Sequence, residues 1–203
     1  MFLDTNALIL LARTPEADLS NLKTQQERNR LQLSVTSIQI DEASRGVKFS
    51  RDAPEHTTGK TKTRLVNEYT EKIGYALKSL RNKGLRLDVE PAKICVQGLE
   101  RDGYGLEGGT QLGELYDELR DEIDRCEEKK GRPKDELNIA GDAVIAVTSI
   151  GHDFLVTADK CLAKSFKTVI ERHKTDEHLL SFPVVVCCEH NEQMAECIEK
   201  VLA

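Results

Sequence analysis

The chain has 203 residues, of which 39% are hydrophobic and 32% charged, so it is long enough for one well-packed domain with a polar surface. It contains no apolar run approaching the roughly 18 residues that cross a bilayer, and its N-terminus lacks the pattern of a secretory signal. Tryptophan is absent and aromatic residues make up 4%, which argues against a platform for base stacking. We therefore expect a cytoplasmic protein that does not enter a membrane.

The six cysteines follow no regular spacing, and we predict that they are reduced thiols in a reducing cytosol. Cys187 and Cys188 fall in a strand-like run, where small buried thiols are common. Cys188, His190 and Cys197 resemble part of a zinc site. They lack the spacing of zinc ligands and a fourth ligand, so buried thiols are the better interpretation.

The net charge of −6 is distributed unevenly. Residues 45–86 carry 11 basic and 4 acidic groups, a net of +7, whereas residues 87–136 carry 8 basic and 15 acidic groups, a net of −7. The basic block is typical of a surface that binds phosphate backbones, although a solvated helix face gives the same pattern. The side chains that we predict to bind substrate are Arg45, Lys48, Arg51, Lys60, Lys62 and Arg64.

Strands and helices alternate in the first part of the chain. The pattern predicts a strand over residues 1–4 and a helix from Asn6 with Thr5 as its cap. It then predicts a helix over 17–31, a strand over 33–36, and a helix that is capped near Ser37 and stops at Gly46.

The middle of the chain is less regular. We predict a polar loop over residues 52–60, and a helix over 61–82 that ends at Gly84. Residues 85–96 are ambiguous because of Pro91. A glycine-rich loop over 98–113 and a charged helix over 112–130 follow.

The last third has the clearest pattern. Asn138 is predicted to cap a helix that runs to Ile150, and residues 154–157 form a strand. A helix, a strand over 182–188 and a terminal helix over 192–202 complete the chain. The alternation predicts the α/β class: a three-layer α/β/α domain spanning residues 1–203, with a central parallel sheet and an enlarged helical and loop insertion at about 47–134.

Four acidic residues are predicted to meet at one edge of this sheet. Asp4 and Asp159 follow two apolar strands, while Glu42 and Asp142 each lie about one turn into a helix. Each acid alone is explained by helix capping or by the helix dipole. Carboxylates that converge at the carboxyl ends of parallel strands repel each other unless a cation neutralises them, so the set predicts a Mg²⁺ or Mn²⁺ site.

Three segments resemble motifs of the PIN domain family, a family of compact α/β metal-dependent nucleases. The segment FLDTNALI at residues 2–9 is similar to the family's LLDTN-like first strand. TSIQIDEASRG at 36–46 resembles SAVTLAELRYG and places the family's glutamate on Glu42. DAVIAVTSIGHDFLVTAD at 142–159 resembles DALIAATALEHGLTLVTRD. Together they cover about a quarter of the chain, in the family's order, whereas residues 47–134 match nothing in it.

The resemblance implies that Asp4, Glu42, Asp142 and Asp159 coordinate one or two Mg²⁺ or Mn²⁺ ions, with Asn6 and Thr157 as supporting polar residues. It implies an endoribonuclease in which water attacks phosphorus in line, leaving 5′-phosphate and 3′-hydroxyl ends. His152 is not needed for this chemistry and is predicted to be a turn residue. RNA is the expected substrate, and a homodimer and a protein partner such as an antitoxin are compatible with the family.

Two alternatives stay open at this stage. A haloacid-dehalogenase-type phosphatase also begins with an aspartate at the end of its first strand, but it would need a second acid where this chain has Asn6. A degenerate PIN-like module would bind RNA or a protein without cutting RNA. Within the nuclease interpretation, the chain is either the toxin of a toxin–antitoxin pair or a processing, quality-control or defence enzyme.

Overall fold

The computed structural model describes residues 1–40, 73–94, 110–131, 136–173, 180–188 and 193–202. Five strands lie in these ranges: β1 (Phe2–Leu3), β2 (Ser34–Thr36), β3 (Asp88–Glu90), β4 (Phe154–Thr157) and β5 (Val184–Cys187). The helices are α1 (Thr5–Arg13), a 3-10 helix (Glu16–Leu19), α2 (Ser20–Glu27), α3 (described over 37–40), α4 (described over 73–82), α5 (Thr110–Lys129), α6 (Glu136–Thr148), α7 (Lys160–His173) and α8 (Met194–Leu202). None of these described helices is long and apolar enough to cross a bilayer.

All five strands run parallel in one sheet, in the order β3-β2-β1-β4-β5. The predicted α/β class is therefore confirmed. From β1 the chain builds outward to β2 and β3, and it then returns to the other side of β1 to add β4 and β5. The strand order reverses between β1 and β4, and in open parallel sheets ligand sites form at this kind of switch point, beyond the carboxyl ends of the strands.

Helices cover both faces of the sheet, because alternate residues of each strand point to opposite sides. Leu3 and Val156 pack into one core with residues of α1, α2, α4 and α8. Phe2 and Leu155 pack into a second core with residues of α5, α6 and α7. The central strands are buried on both sides, which explains why their sequences are continuously apolar rather than alternating.

The segment that the sequence predicts as an insertion contributes to the central fold. β3 pairs in parallel with β2 and forms one edge of the sheet, so the ambiguous segment contains a strand at 88–90. α5 packs against α6 and α7 and buries Leu119 and Ile123 in the second core. Within the predicted insertion at 47–134, residues 47–72, 95–109 and 132–134 lie outside the described part of the chain.

Several predicted helix ends differ from the observed ones. The cap of α1 is Asp4 rather than Thr5, since its carboxylate accepts a hydrogen bond from the N–H of Ala7. Asn138 lies inside α6, which already begins at Glu136. The single helix predicted over residues 17–31 is a 3-10 helix followed by α2, and the turn after it contains Asn29 with φ of 55°. Neighbouring residues can often both act as a helix cap, so the sequence alone does not show which of them is the cap.

The prediction of reduced thiols is wrong for four of the six cysteines. A disulfide joins Cys126 of α5 to Cys161 of α7, with 5.7 Å between their Cα atoms. A second disulfide joins Cys188, directly after β5, to Cys197 of α8, with a Cα separation of 6.1 Å. The bonded pairs are distant in sequence or sit on different elements, so spacing alone does not reveal them. The second disulfide also takes up two of the three residues considered for a zinc site.

Candidate metal and catalytic site at the sheet edge

The two acids that follow β1 and β4 flank the point where the strand order reverses. β1 and β4 are neighbours, with Leu3 paired to Val156. The backbone N–H of Asp4 donates to the carbonyl of Val156 at 3.0 Å, which continues the ladder by one residue and fixes Asp4 beside the end of β4. Asp159 lies two residues beyond the end of β4, at the start of α7. The fold thus brings both predicted residues to the same crevice.

Asp4 is a buried carboxylate with both oxygens hydrogen-bonded. Only 2% of the residue is exposed. Its Oδ1 accepts from the backbone N–H of Ala7 at 2.6 Å, and its Oδ2 accepts from the hydroxyl of Thr157. The first bond caps α1, where the positive end of the helix dipole favours a negative charge. These contacts hold the carboxylate in one orientation at the crevice.

The pKa of Asp4 is raised from 3.8 to about 7. Burial is the main cause, since removal from water disfavours the charged form. The hydrogen bonds from Thr157 and Ala7 act in the opposite direction, and the negative charges of Asp142 and Asp159 raise the pKa further. Perturbed carboxyl groups of this kind occur at functional sites more often than elsewhere. Asp142 and Asp159 therefore both act electrostatically on Asp4.

Thr157 connects the ends of the two central strands. It is fully buried, and its Oγ1 donates to Asp4 while accepting the backbone N–H of Asp159 at 2.9 Å. Asp159 in turn accepts from the N–H groups of Cys161 and Leu162 through Oδ1, at 2.7 and 3.1 Å, and so caps α7. The capping explanation weighed for Asp159 is thus correct for one of its oxygens. One hydroxyl sets the relative position of two of the predicted acids.

Asp142 approaches the crevice from α6 and is partly exposed. Its charge acts on Asp4, which places it on the same side of the sheet edge. Within the described ranges, however, no three His, Cys, Asp or Glu side chains are grouped closely enough to hold a metal ion. Glu42, the fourth predicted acid, lies outside those ranges. The observed arrangement is a set of three interacting aspartates rather than a closed coordination shell.

Asn6 and His152 have different environments. Asn6 lies in the first turn of α1 and is partly buried. His152 lies in the turn before β4, as predicted, with its Nε2 at 2.9 Å from Oε2 of Glu90 and its ring packed near Phe2. This turn is at the end of β4 opposite to Asp159, so His152 is not a component of the aspartate group.

Gln39 supports the site and was not recognised in the sequence. It is fully buried, its Oε1 accepts from the N–H of Thr36 at 2.8 Å, and its Nε2 donates to the carbonyl of Leu3 at 3.2 Å. The amide therefore ties the end of β2 to the residue just before Asp4. The signal was present, because Thr-x-x-Gln before a helix is a capping-box pattern. It also shows that α3 is capped by Thr36 rather than Ser37.

The predicted substrate-binding residues cannot be placed relative to this site. Arg45, Lys48, Arg51, Lys60, Lys62 and Arg64 all lie outside the described residues, as does Asp41 beside Glu42. Their assignment stays a prediction from charge.

Comparison with known proteins identifies no relative. No protein-family model matches the chain, and no curated protein or solved structure is significantly similar to it. The functional argument therefore depends on the residues and on the geometry of the sheet edge.

Proposed function

We propose that the chain is a Mg²⁺- or Mn²⁺-dependent endoribonuclease of the PIN type. The observation that carries the proposal is the buried carboxylate of Asp4, whose pKa is raised to about 7 beside two further aspartates at the switch point of a parallel sheet. Burial of an acid among other acids destabilises the fold unless it serves a ligand. A cation is the ligand that reverses this cost.

The donor chemistry fits a hard divalent ion. Asp4, Asp142 and Asp159 offer carboxylate oxygens, which Mg²⁺ and Mn²⁺ prefer over nitrogen and sulfur ligands. These three residues, together with Glu42, would hold the ion. When bound, the ion would offset the charge of the carboxylates and of the scissile phosphate and make a water molecule more acidic.

In this proposal, Thr157 and the first turn of α1 position the carboxylate of Asp4, and Asp4 releases a proton when the ion binds. Thr157 holds Oδ2 of Asp4, and the first turn of α1 holds Oδ1, so little reorganisation is needed when the ion enters. With its pKa near 7, Asp4 carries a proton in part of the molecules at neutral pH and must lose it to bind a cation. Ion binding, and with it RNA hydrolysis, should therefore weaken as the pH falls below 7.

One observation favours a second candidate, the non-catalytic module that binds RNA or a protein. The described residues contain no complete group of three metal ligands. In such a module the three aspartates would keep their capping and electrostatic roles without turning over a substrate. We rank it second because capping α1 does not require a buried acid with a raised pKa, since Ser, Thr or Asn caps a helix equally well. No observation favours the phosphatase, and the toxin role likewise has only the family resemblance behind it.

Cleavage assays distinguish the two candidates. Wild type and Asp142→Asn would be incubated with mixed structured RNA and with single-stranded DNA, in Mn²⁺ or in EDTA. We expect Mn²⁺-dependent RNA cleavage by wild type and a loss of at least about 100-fold in the variant, the size typical for removal of a preorganised charge at a reacting centre. The exposed Asp124 of α5 provides a matched control, and Asp124→Asn should cleave like wild type. Binding of RNA without cleavage in Mn²⁺ would favour the module, and cleavage in EDTA would exclude the metal-dependent mechanism.

A further inference from the structure

A pocket of about 400 Å³ lies between the outer side of α7 and the end of β5. Its lining includes three lysines, one acid and one thiol. The lining residues are Lys160, Ala163, Lys164, Lys167, Thr168, Glu171 and Cys187.

The three lysines form a continuous basic strip. Lys160, Lys164 and Lys167 occupy positions i, i+4 and i+7, which fall on one side of a helix, and all three are exposed. None of them forms a salt bridge with another described residue.

At the C-terminal end of α7, basic residues form ion pairs that join this helix to α5. Arg172 bonds Glu118 and Glu122 of α5, each at 2.7 Å, and His173 approaches Glu118 at 2.7 Å. These pairs tie α7 to its neighbour. The lysines at the beginning of α7 form no salt bridge with any acid in the described part of the chain, although α5 carries many acids. The contrast argues that the lysine strip serves something outside the domain.

The strip begins at the aspartate group. Lys160 follows Asp159 directly, and Cys187 is the strand partner of Thr157. The thiol of Cys187 lies within electrostatic range of Lys160 and Lys167 on one side and of Asp159 and Asp4 on the other. Pocket and candidate catalytic site are thus neighbours at the same edge of the sheet, with opposite charge.

The geometry points to the lysine strip of α7 (Lys160, Lys164 and Lys167) as the binding path for the phosphodiester backbone of a single-stranded RNA that enters the aspartate site. The inference rests on the proposed function for the identity of the ligand. The helix rise of 1.5 Å per residue spreads these lysines over about 10 Å. A strip of this length can meet more than one phosphate of a single strand. Glu171 lies one turn beyond Lys167, at the end of the strip away from Asp159.

Binding can be measured without cleavage, which separates this inference from the nuclease proposal. Wild type and the triple variant Lys160→Gln/Lys164→Gln/Lys167→Gln would be titrated in EDTA with a short fluorescein-labelled single-stranded RNA at several salt concentrations. Each phosphate contact contributes about 0.7 to the slope of log K against log salt. We expect the variant to lower the slope by about 2 and the affinity near 0.1 M salt by about 100-fold.

A charge-matched control removes the same three positive charges elsewhere. Arg13→Gln/Arg28→Gln/Arg30→Gln changes exposed residues outside the pocket and should reduce affinity by less than about 3-fold, because distant surface charges are screened. Equal losses in the two triple variants would overturn the strip as a binding path. The inference would also be overturned if the wild-type protein did not bind RNA, or if it bound polyglutamate as well as it binds RNA.

Alkylation of Cys187 gives a second measurement that needs no variant. This thiol lines the pocket and is the one free cysteine among the described residues. The rate of alkylation by N-ethylmaleimide would be followed by peptide mass spectrometry. We expect saturating RNA to slow the alkylation of Cys187 at least about 5-fold and polyglutamate to leave its rate unchanged. Unchanged alkylation in the presence of bound RNA would contradict the inference. If RNA binds along the strip but is never cut in Mn²⁺, the strip stands and the nuclease proposal fails.

Discussion

Asp4 and Asp159 follow neighbouring strands, and each caps the helix that comes next. Asp4 accepts from the first turn of α1 and Asp159 from the first turn of α7. Their surroundings differ, because Asp4 is buried whereas Asp159 is partly exposed. The pKa of Asp4 is raised to about 7 even though two hydrogen bonds favour its charged form. The same capping motif therefore occurs in two environments, one partly exposed at Asp159 and one buried at Asp4, and burial raises the pKa of Asp4.

We expect the largest effect on the free energy of unfolding when the buried carboxylate of Asp4 is replaced by a neutral side chain. The pKa of Asp4 is higher in the folded chain than in the unfolded chain, so the folded state holds the proton more tightly. This group favours folding most at pH values below about 4, and the contribution is lost as the pH rises to about 7. Above pH 7 the ionised carboxylate destabilises the fold in the absence of a cation.

Asp4→Asn should therefore become more stable relative to wild type as the pH rises. We expect its advantage in the free energy of unfolding to grow by about 2–3 kcal/mol between pH 5 and pH 8, because each pKa unit corresponds to about 1.4 kcal/mol. Urea denaturation in EDTA at both pH values measures this difference. Asp159→Asn is the matched change at the partly exposed cap, and its pH-dependent difference should be smaller than that of Asp4→Asn because water solvates the carboxylate there. Parallel pH profiles for Asp4→Asn and wild type would contradict the raised pKa.

A smaller effect is expected from removing the hydroxyl of Thr157, which connects the capping aspartates Asp4 and Asp159. Thr157→Val keeps the shape of the side chain but leaves an oxygen of Asp4 and the N–H of Asp159 without the hydroxyl partner. Unsatisfied buried polar groups cost about 1–3 kcal/mol, so thermal denaturation should show a lower Tm. Thr24→Val, at a more exposed hydroxyl that bonds only a helix carbonyl, should lose much less. Equal losses in the two variants would show that Thr157 has no special connecting role.

The smallest effect is expected from removing the capping carboxylate of Asp159, which is partly exposed. Asp159→Ala removes the acceptor of the N–H groups of Cys161 and Leu162 and should lower the free energy of unfolding by about 1 kcal/mol. Asp159→Asn should lose less than half of that, since an amide oxygen still caps the helix. If Asp159→Ala were instead stabilising at pH 8, the residue would resemble Asp4, and the comparison between the two caps would fail. Urea denaturation at pH 8 decides this.

The parts of the fold that follow from local pattern were predictable. β4 has the predicted bounds, and α5 and α8 lie within two residues of theirs, because an apolar run or an amphipathic stripe identifies each. Asp4 and Asp159 were identified because an acid directly after a buried strand must lie at the sheet edge. Thr157 and Asn6 came from the family resemblance alone.

The parts that depend on distant contacts were not predictable. β3 is short and exposed, and only its pairing with β2 makes it a strand. The Cys126–Cys161 bond requires that α5 pack against α7, which no spacing in the sequence reveals. The lysine strip was overlooked because its three charges are few beside the +7 block, and it becomes a feature only when α7 and β5 enclose a pocket.

Calorimetric titration of Mn²⁺ into the protein at pH 7 tests most directly whether the buried carboxylate of Asp4 exists to hold a cation. Measurements in two buffers of different ionisation enthalpy would also count the protons released. We predict saturable binding to wild type with release of roughly half a proton, because Asp4 is about half protonated at this pH. Asp4→Asn should bind at least about 10-fold more weakly and release no proton. Absence of Mn²⁺ binding, or binding that is the same in wild type and Asp4→Asn, would contradict the account.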